Sequence, residues 1–383
     1  MRNSFEENRG RVLLIRQTDY GPGVNDAVRR AFDFFGGAEK FIKSGSKVLL
    51  KVNLVAGHKP EKRVTTDPSV VEAVARLVLE HGGRPVIADS PGIDSFQRAA
   101  ERAGFMDVAR RLNIPCVELD DPVPLPPGIS FRKIEVGRTV READLIINLP
   151  KMKTHGQMLL SLGVKNLFGC VVGRAKAAWH YNVGLSRDRF ASLLLDSYKG
   201  VAPSVTIMDG VIGMDGNGPT GGSPYPYGVI AAAEDALRMD FVLCRMMNIP
   251  LEDFPLWRAA RQRKMPECIL NEDDIAGDFS PDFRFTGVRF PDSRSLRLLP
   301  RIPLLGPVIE RAMTSFPVHL PERCIGCGRC QAVCASGALK HLNGKLSFDY
   351  GKCIRCYCCH EMCPVQAIDF KESLLVRLGK FLR

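Results

Sequence analysis

No apolar run in this 383-residue chain is long enough to cross a bilayer; even IPLLGPVI, residues 302–309, is brief and broken by prolines. The opening stretch MRNSFEENRGRVLLIRQ carries acidic residues and no small-residue cleavage site, so no signal peptide is expected. Thirteen cysteines are too few for a disulfide scaffold of this size. No stacking-aromatic platform for nucleic acid stands out, and the glycine-rich stretch 213–222 lacks the G-x-x-x-x-G-K-[ST] pattern. These absences set aside a transmembrane chain, a disulfide framework and a Walker-type nucleotide loop.

Where the cysteines do occur, they are ordered. Eight of them form two copies of C-x2-C-x2-C-x3-C: Cys324, Cys327, Cys330 and Cys334, then Cys353, Cys356, Cys359 and Cys363. Each member of the second set lies 29 residues after its counterpart, as do Ile354 after Ile325, Ala367 after Ala338 and Ile368 after Leu339. The unit is duplicated. A [4Fe–4S] cluster needs one thiolate per iron: three from one run and, in two-cluster modules, the fourth from the other. On that rule one cluster takes Cys324, Cys327, Cys330 and Cys363, and the second takes Cys353, Cys356, Cys359 and Cys334. Zinc would want two separated pairs instead. Residues 321 to 370 resemble the bacterial two-[4Fe–4S] ferredoxin module. Ala335 departs from it where a proline often follows the fourth cysteine, and Cys358 is an extra thiol, either a buried filler or a substitute for Cys359. Thiolates that must stay reduced during cluster assembly point to a cytoplasmic location.

The net charge is +11, and residues 284–383 hold 16 Lys and Arg against 7 Asp and Glu. Two oxidised clusters at about −2 each offset part of that surplus. No nucleic-acid partner is expected; a basic face for an acidic redox partner protein, or a plain solvated face, uses what remains.

From about residue 10 to 290, β-branched runs alternate with amphipathic stretches. Candidate strands are 11–16, 47–54, 84–90, 115–120, 144–150, 204–209 and 228–233. The clearest helix starts at Asp67-Pro68, a capping carboxylate before a proline at the first helical position, and stops at Gly82-Gly83. This alternation predicts an α/β fold, a three-layer, mostly parallel sheet, in residues 1–290. A Pro-rich connector at 291–320, a small α+β two-cluster domain at 321–370 and a basic helical tail at 371–383 complete the expected order. The tail is read as a helix docked on its own protein, with grazing of a membrane surface as the alternative.

Working residues in such sheets gather beyond the carboxyl ends of the strands. There stand KVNLV (51–55), ADSPG (88–92), NLPKMKTH (148–155), GVKNLFG (163–169) and DGVIGMDGNGPTGG (209–222), with TDPSVVEAV (66–74) opening the helix. Together these motifs resemble the family called domain of unknown function 362, often fused to ferredoxin modules. Val52 departs from the proline expected between Lys and Asn. The resemblance implies architecture and domain partnership, but no substrate.

The residues add chemistry of their own. Lys151, Lys153 and His155 alternate and so share one side of an extended segment. Buried lysines need a partner or an anion, which makes Lys51, Asn53, Asp89, Lys151, Lys165, Asn166 and Asp209 candidates for holding a phosphate or carboxylate. Lys153 and His155 are the catalytic candidates. The competing reading is that the lysines face water or pair with Asp89, Asp209 and Asp215. His155, His180, Cys170 and Asp209 are all competent metal ligands, but their spacing matches no template. The glycines of 213–222 permit either tight turns or a close ligand approach.

The leading expectation is an iron–sulfur redox protein with two [4Fe–4S] clusters that passes single electrons to an anionic small molecule held by the Lys/His motifs. The alternatives are an electron carrier or adaptor, which predicts a docking face and no closed pocket, and a redox-dependent maturation factor.

Overall fold

The computed structural model describes residues 8, 10–92, 94–173, 175–291, 314–342 and 345–371. Most of the expected connector and all but Lys371 of the expected tail lie outside the described residues.

All seven stretches expected as strands enter one eleven-stranded sheet. Its strands are β1 (Val12–Arg16), β2 (Lys47–Lys51), β3 (Arg84–Asp89), β4 (Cys116–Glu118), β5 (Leu145–Asn148), β6 (Lys151–His155), β7 (Leu159–Ser161), β8 (Val205–Asp215), β9 (Ser223–Tyr225), β10 (Val229–Ala233) and β11 (Ile275–Gly277). The main order is β11-β1-β10-β8-β5-β2-β3-β4. Pairings from β8 through β5, β2 and β3 to β4 are parallel, while β10 runs antiparallel to both neighbours, so the sheet is mixed and mostly parallel. Neighbouring residues along each strand face opposite cores. Leu14, Leu49 and Ile146 pack with helices Arg187–Val201 and Ala236–Met246. Leu13, Leu50 and Ile147 pack with helices Gly23–Phe34 and Pro68–Glu80. That is the period-two signature of a sheet covered on both faces. Helix Pro68–Glu80 begins as its sequence dictates, with the Asp67 carboxylate accepting from Ser69 N at 3.1 Å.

One feature of the sheet makes the site. β5 ends at Asn148, the chain steps through Leu149-Pro150, and β6 continues alongside the long β8 after β2 has ended. Lys151 stands opposite Asp209 and Lys153 opposite Met214, with the register shifting between them. β7 returns antiparallel to β6.

The C-terminal part repeats at the expected interval. Strands β12 (Phe316–His319), β13 (Leu339–Leu342), β14 (Lys345–Phe348) and β15 (Ile368–Lys371) form two hairpin-like pairs, β12 with β15 and β13 with β14. Short helices Arg329–Ala332 and Cys358–Glu361 occupy equivalent places in the two copies. Left-handed backbone recurs as well: Gly326, Gly328 and Gly337 correspond to Arg355, Tyr357 and Gln366, all at positive φ. The first copy uses glycine where the second holds side chains in a conformation costly to them.

The second copy docks on the glycine-rich loop that follows β8. Asn217 donates to Asp369, Thr220 donates to the Glu361 carbonyl, and Gln366 reaches the Thr220 carbonyl. The buried His360 ring lies between two carbonyls, Ile368 O at 2.6 Å and Asn217 O at 3.0 Å. A Cβ on Gly221 would come within 2.8 Å of that ring, so this glycine serves docking. Asp94 pairs with Arg329 at 2.8 Å on the other side of the junction. In a His360→Leu variant at least one of the two carbonyls loses its ring donor, at about 1–3 kcal/mol for a group left unpaired. Amide exchange across residues 216–221 should accelerate by about tenfold or more; unchanged exchange would show that this ring does not hold the loop.

Candidate functional site

β6 is a strand of polar residues with no access to water. Lys151, Lys153, Thr154 and His155 are each at most 1% exposed. Alternation sends Lys151, Lys153 and His155 to one side, and each meets a different partner. Lys151 Nζ donates to Asp209 at 2.8 Å and to the Tyr20 hydroxyl at 2.6 Å, while Tyr20 donates to the other Asp209 oxygen. Burial, then Asp209, hold the Tyr20 phenol well above its usual range. Lys153 Nζ donates to Asn53 Oδ1 at 2.6 Å and to the Val64 carbonyl at 2.7 Å. Both acceptors are neutral, and burial followed by the charges of Lys165 and Lys151 pushes this lysine well below the ordinary range.

From Lys153 a chain of amides runs across the sheet end. Asn53 donates to Asn166, Asn166 donates to Asn148, and Asn148 donates to the Gly163 carbonyl, at 2.9, 2.9 and 3.0 Å. Each amide orientation is thereby fixed by the next. The turn Gly163–Asn166 is held from behind by Asp240, whose oxygens accept from Gly163 N and Val164 N. Burial pushes that carboxyl up to about 8 despite these bonds. Beside them Lys51 pairs with Asp89 at 2.9 Å, both buried. Asp89 also accepts from Leu54 N and Ser90 N. A Cβ on Gly169 would fall 2.6 Å from Asp89 Oδ1 and 2.7 Å from Lys51 Nζ, so the close of the GVKNLFG motif must be glycine.

His155 ends the strand. Its Nδ1 accepts from Gln157 N and Met158 N, which assigns the neutral ring's proton to Nε2. Nε2 stands 3.0 Å from Glu361 of the C-terminal module, close enough for a charge contact but off the line of a hydrogen bond. Burial, reinforced by the Lys165 charge, lowers His155 to about 4; Glu361, beside His155 and Lys165, is lowered to about 2 against the opposing effect of its own burial.

Between the two parts of the chain lies a cavity of about 270 Å³. Asn53, Asp89, Lys165, Asn166, Lys176 and His180 line it from the α/β side; Ala332, Val333, Cys358, Glu361 and Met362 close it from the other. Lys165 has no hydrogen bond or ion pair among the described residues. Lys176 donates to the Ser90 carbonyl, and burial lowers it to about 8. His180 stacks on Phe190, leaves its buried Nδ1 without a partner, and is lowered by burial to about 3.

Of the residues singled out in the sequence, Asn53, Asp89, Lys165 and Asn166 therefore face the cavity. Lys51 and Lys153 stand one layer behind, through Asp89 and Asn53. His155 reaches the wall through Glu361. Lys151 and Asp209 form a separate pair with Tyr20. His155, His180, Cys170 and Asp209 do not make one donor set, since Asp209 is taken up by Lys151 and Tyr20. Sequence reasoning missed Tyr20, Asp240 and Glu361; each acts across a large sequence separation and has no local signal.

Cys324, Cys327, Cys330 and Cys363 line one small cavity in the C-terminal module, together with His319 and Ile325. Cys359 lies among Cys356, Cys353 and Cys334, and burial followed by those neighbours holds its thiol well above the usual range. Four cysteines thus line one cavity and Cys359 has three others near it, and thiolate sulfur is a donor type that fits an iron–sulfur group. Cys358 hydrogen-bonds with Cys356 and turns to the large cavity.

Two buried histidines, His155 and His180, and the half-buried His58 give a pH dependence. His58 and His155 are lowered to about 4 and His180 to about 3, in each case mainly by burial. Below the ordinary histidine value the unfolded chain binds protons that the folded rings refuse. Stability therefore falls as pH drops from about 7 to 5, by up to about 1.4 kcal/mol per pH unit for each ring. Replacing His180 with Phe, which keeps the stack on Phe190, should flatten the slope measured by denaturant titration; an unaltered slope would remove His180 from this account.

Two family models match separate parts of the chain. The family model for the domain of unknown function DUF362 matches residues 48–245, and a 4Fe–4S dicluster domain model matches 316–364. A thylakoid-associated protein of Synechocystis sp. is 38% identical over 253 residues, covering 66% of this chain and 78% of that protein. An uncharacterized ferredoxin of Methanocaldococcus jannaschii is 46% identical over 54 residues, 13% of this chain and 70% of the ferredoxin. The pyruvate synthase subunit PorD of the same organism is 38% identical over 56 residues, 14% of this chain and 65% of the subunit. The lactate racemase apoprotein from Thermoanaerobacterium thermosaccharolyticum aligns at 14% identity over 60% of this chain and 56% of that one, with a TM-score of 0.40, too distant to carry an argument. The C-terminal module is a binder of [4Fe–4S] clusters. No helix among the described residues is long and apolar enough to cross a membrane. The chain belongs to the DUF362 family and joins that domain to a C-terminal 4Fe–4S dicluster domain.

Proposed function

We propose that this protein is a cytoplasmic iron–sulfur oxidoreductase that delivers single electrons to an anionic small molecule held in the cavity between its two parts. The observation that carries the reading is that cavity. Its wall combines the Lys165–Asn166 turn and Lys176 with Cys358 and Glu361, which lie within the second cysteine run. A carrier or adaptor has no use for a pocket lined by lysines against its own cluster-binding turn.

On this reading Cys324, Cys327, Cys330 and Cys363 hold one cluster and Cys353, Cys356, Cys359 and Cys334 the other. The clusters supply electrons one at a time. The chain's own residues do the rest. Lys165 and Lys176 attract the anion, and the Asn53–Asn166–Asn148 amides orient it. Lys153 sets the charge behind Asn53, and His155 fixes Glu361. Lys153 and His155 thus act through residues on the wall, and Lys51 acts through Asp89. Lys151 and Asp209, tied to Tyr20, hold β6 in place. The exposed Cys327 and Ile325 on the outer run offer a docking face for a redox partner protein, acidic to suit the basic C-terminal region.

Cys358 faces the cavity, so a Cys358→Ser variant should keep the iron content and visible absorption of the anaerobically prepared wild type, whereas Cys359→Ser should lose about half the iron. Loss of iron in Cys358→Ser would make Cys358 a ligand. For the site, small molecules released from anaerobically purified protein are identified by mass spectrometry and tested as oxidants of the reduced clusters. The expectation is that the released molecule reoxidises wild type, and that a Lys153→Met, His155→Phe double variant with intact cluster absorption carries much less of it. Equal occupancy in the double variant would refute the roles given to these two residues.

A further inference from the structure

We propose that the junction cavity is a receptor for a small dianion, a phosphate monoester or a dicarboxylate, held chiefly by Lys165 and Lys176. The inference rests on the reading of the cavity as the substrate site and adds the charge of what it holds.

The cavity carries a charge imbalance, with Lys165 and Lys176 half-buried on its wall and Lys51 and Lys153 fully buried behind them. Four ammonium groups surround the cavity: Lys165 and Lys176 on its wall, Lys51 and Lys153 directly behind. Two carboxylates answer them, Asp89 and Glu361. Asp89 is committed to Lys51 at 2.9 Å. Glu361 is shared between the His155 contact at 3.0 Å and the nearby charge of Lys165. Lys153 and Lys176 donate only to neutral oxygens, Asn53 Oδ1 with Val64 O, and Ser90 O. Glu118, mostly open to solvent, acts on Lys176 more weakly than Asp89 does. The histidines on this side, His155 and His180, stay neutral beside Lys165 and add no charge. Among these side chains two positive charges are left over on the cavity side of Cys358, before the charge of a cluster held behind it by the second cysteine run is counted.

An uncompensated buried ammonium is costly, and Lys153, Lys165 and Lys176 are all displaced downward by burial. A dianion removes the imbalance; a monoanion leaves half of it, and a metal cation adds to it. At about 270 Å³ the cavity also exceeds what a halide would fill, being many times the roughly 30 Å³ that one water occupies in the liquid. Orienting groups are present for an organic body: the fixed amides of Asn53 and Asn166, and the free Nδ1 of His180.

The experiment is calorimetric titration of the anaerobically purified full-length holoprotein with inorganic phosphate, malonate and acetate. Phosphate and malonate should bind once per chain and at least about tenfold more tightly than acetate. Tighter phosphate binding points to a phosphate monoester, tighter malonate binding to a dicarboxylate, and either result supports the proposal. Lys165→Met and Lys176→Met should each weaken the better ligand by about tenfold or more with cluster absorption unchanged. Arg76→Met, on the exposed face of helix Pro68–Glu80, should change nothing. Acetate binding as well as either dianion, or dianion affinity unaffected by both lysine variants, would overturn the proposal. So would a Lys165→Met variant whose cluster potential shifts in a protein that binds none of the three anions, because the lysines would then serve only to balance cluster charge. Failure of the released molecule to reoxidise the clusters, with dianion binding intact, would instead count against the electron-delivery reading alone.

Discussion

The turn Cys358–Glu361 is the contact on which this architecture depends. It belongs to the second cysteine run, yet its side chains look outward into the other domain: Cys358 into the cavity, Glu361 toward His155, His360 into the glycine-rich loop. Remove that contact and three things go together. The cavity loses a wall, the His155 ring loses the carboxylate beside Nε2, and the loop after β8 loses the ring its glycines are shaped to receive. Cluster-binding turn and sheet end are therefore parts of one site.

Behind that contact lies a problem of charge in a dry place. β6 puts Lys151, Lys153 and His155 on one side with essentially no solvent access, an arrangement that fails unless every group finds an answer. Lys151 finds Asp209 and Tyr20, a full ion pair with a third member. Lys51, on the neighbouring strand, finds Asp89. Lys153 finds only neutral oxygens, and His155 resolves its position by staying uncharged. The gradient along the strand runs from compensated to uncompensated charge, and it runs toward the cavity. Lysines that pair with carboxylates and lysines left with neutral oxygens are thus distinguished along one sheet end.

Much of this was legible in the sequence, for identifiable reasons. Strands β1, β2, β3, β5 and β10 announce themselves because they are buried on both faces, and Asp67-Pro68 starts its helix by capping chemistry alone. The 29-residue repeat marked a duplicated unit, and the backbone obeys it even where Arg355, Tyr357 and Gln366 replace glycine. The hairpin of β6 and β7 was not legible as structure, since PKMKTH has the composition of a solvated loop; only its partners across the fold make it a buried strand. The glycines of 213–222 left turn and ligand approach open, and at Gly221 the approaching group is the ring of His360, from the chain's own second domain. Glu361 had no signal at all, because its meaning depends on where a distant turn docks.

That dependence bears on why the two parts share one chain. A diffusing ferredoxin would bring its cluster to the sheet end only transiently, and Lys165 would face water between encounters. Covalent linkage, with docking through Asn217, Thr220, Asp94 and their partners, keeps both walls of the cavity in place and its two lysines half-buried. Desolvation strengthens the attraction of those ammonium groups for an anion and confines it beside the second cysteine run. The outer run, with Cys327 and Ile325 open to solvent, is left as the side that another protein can reach. On the proposed reading the inner face of the junction recognises a small charged molecule while the outer face stays available to a larger partner, and the duplicated module spans the distance between them.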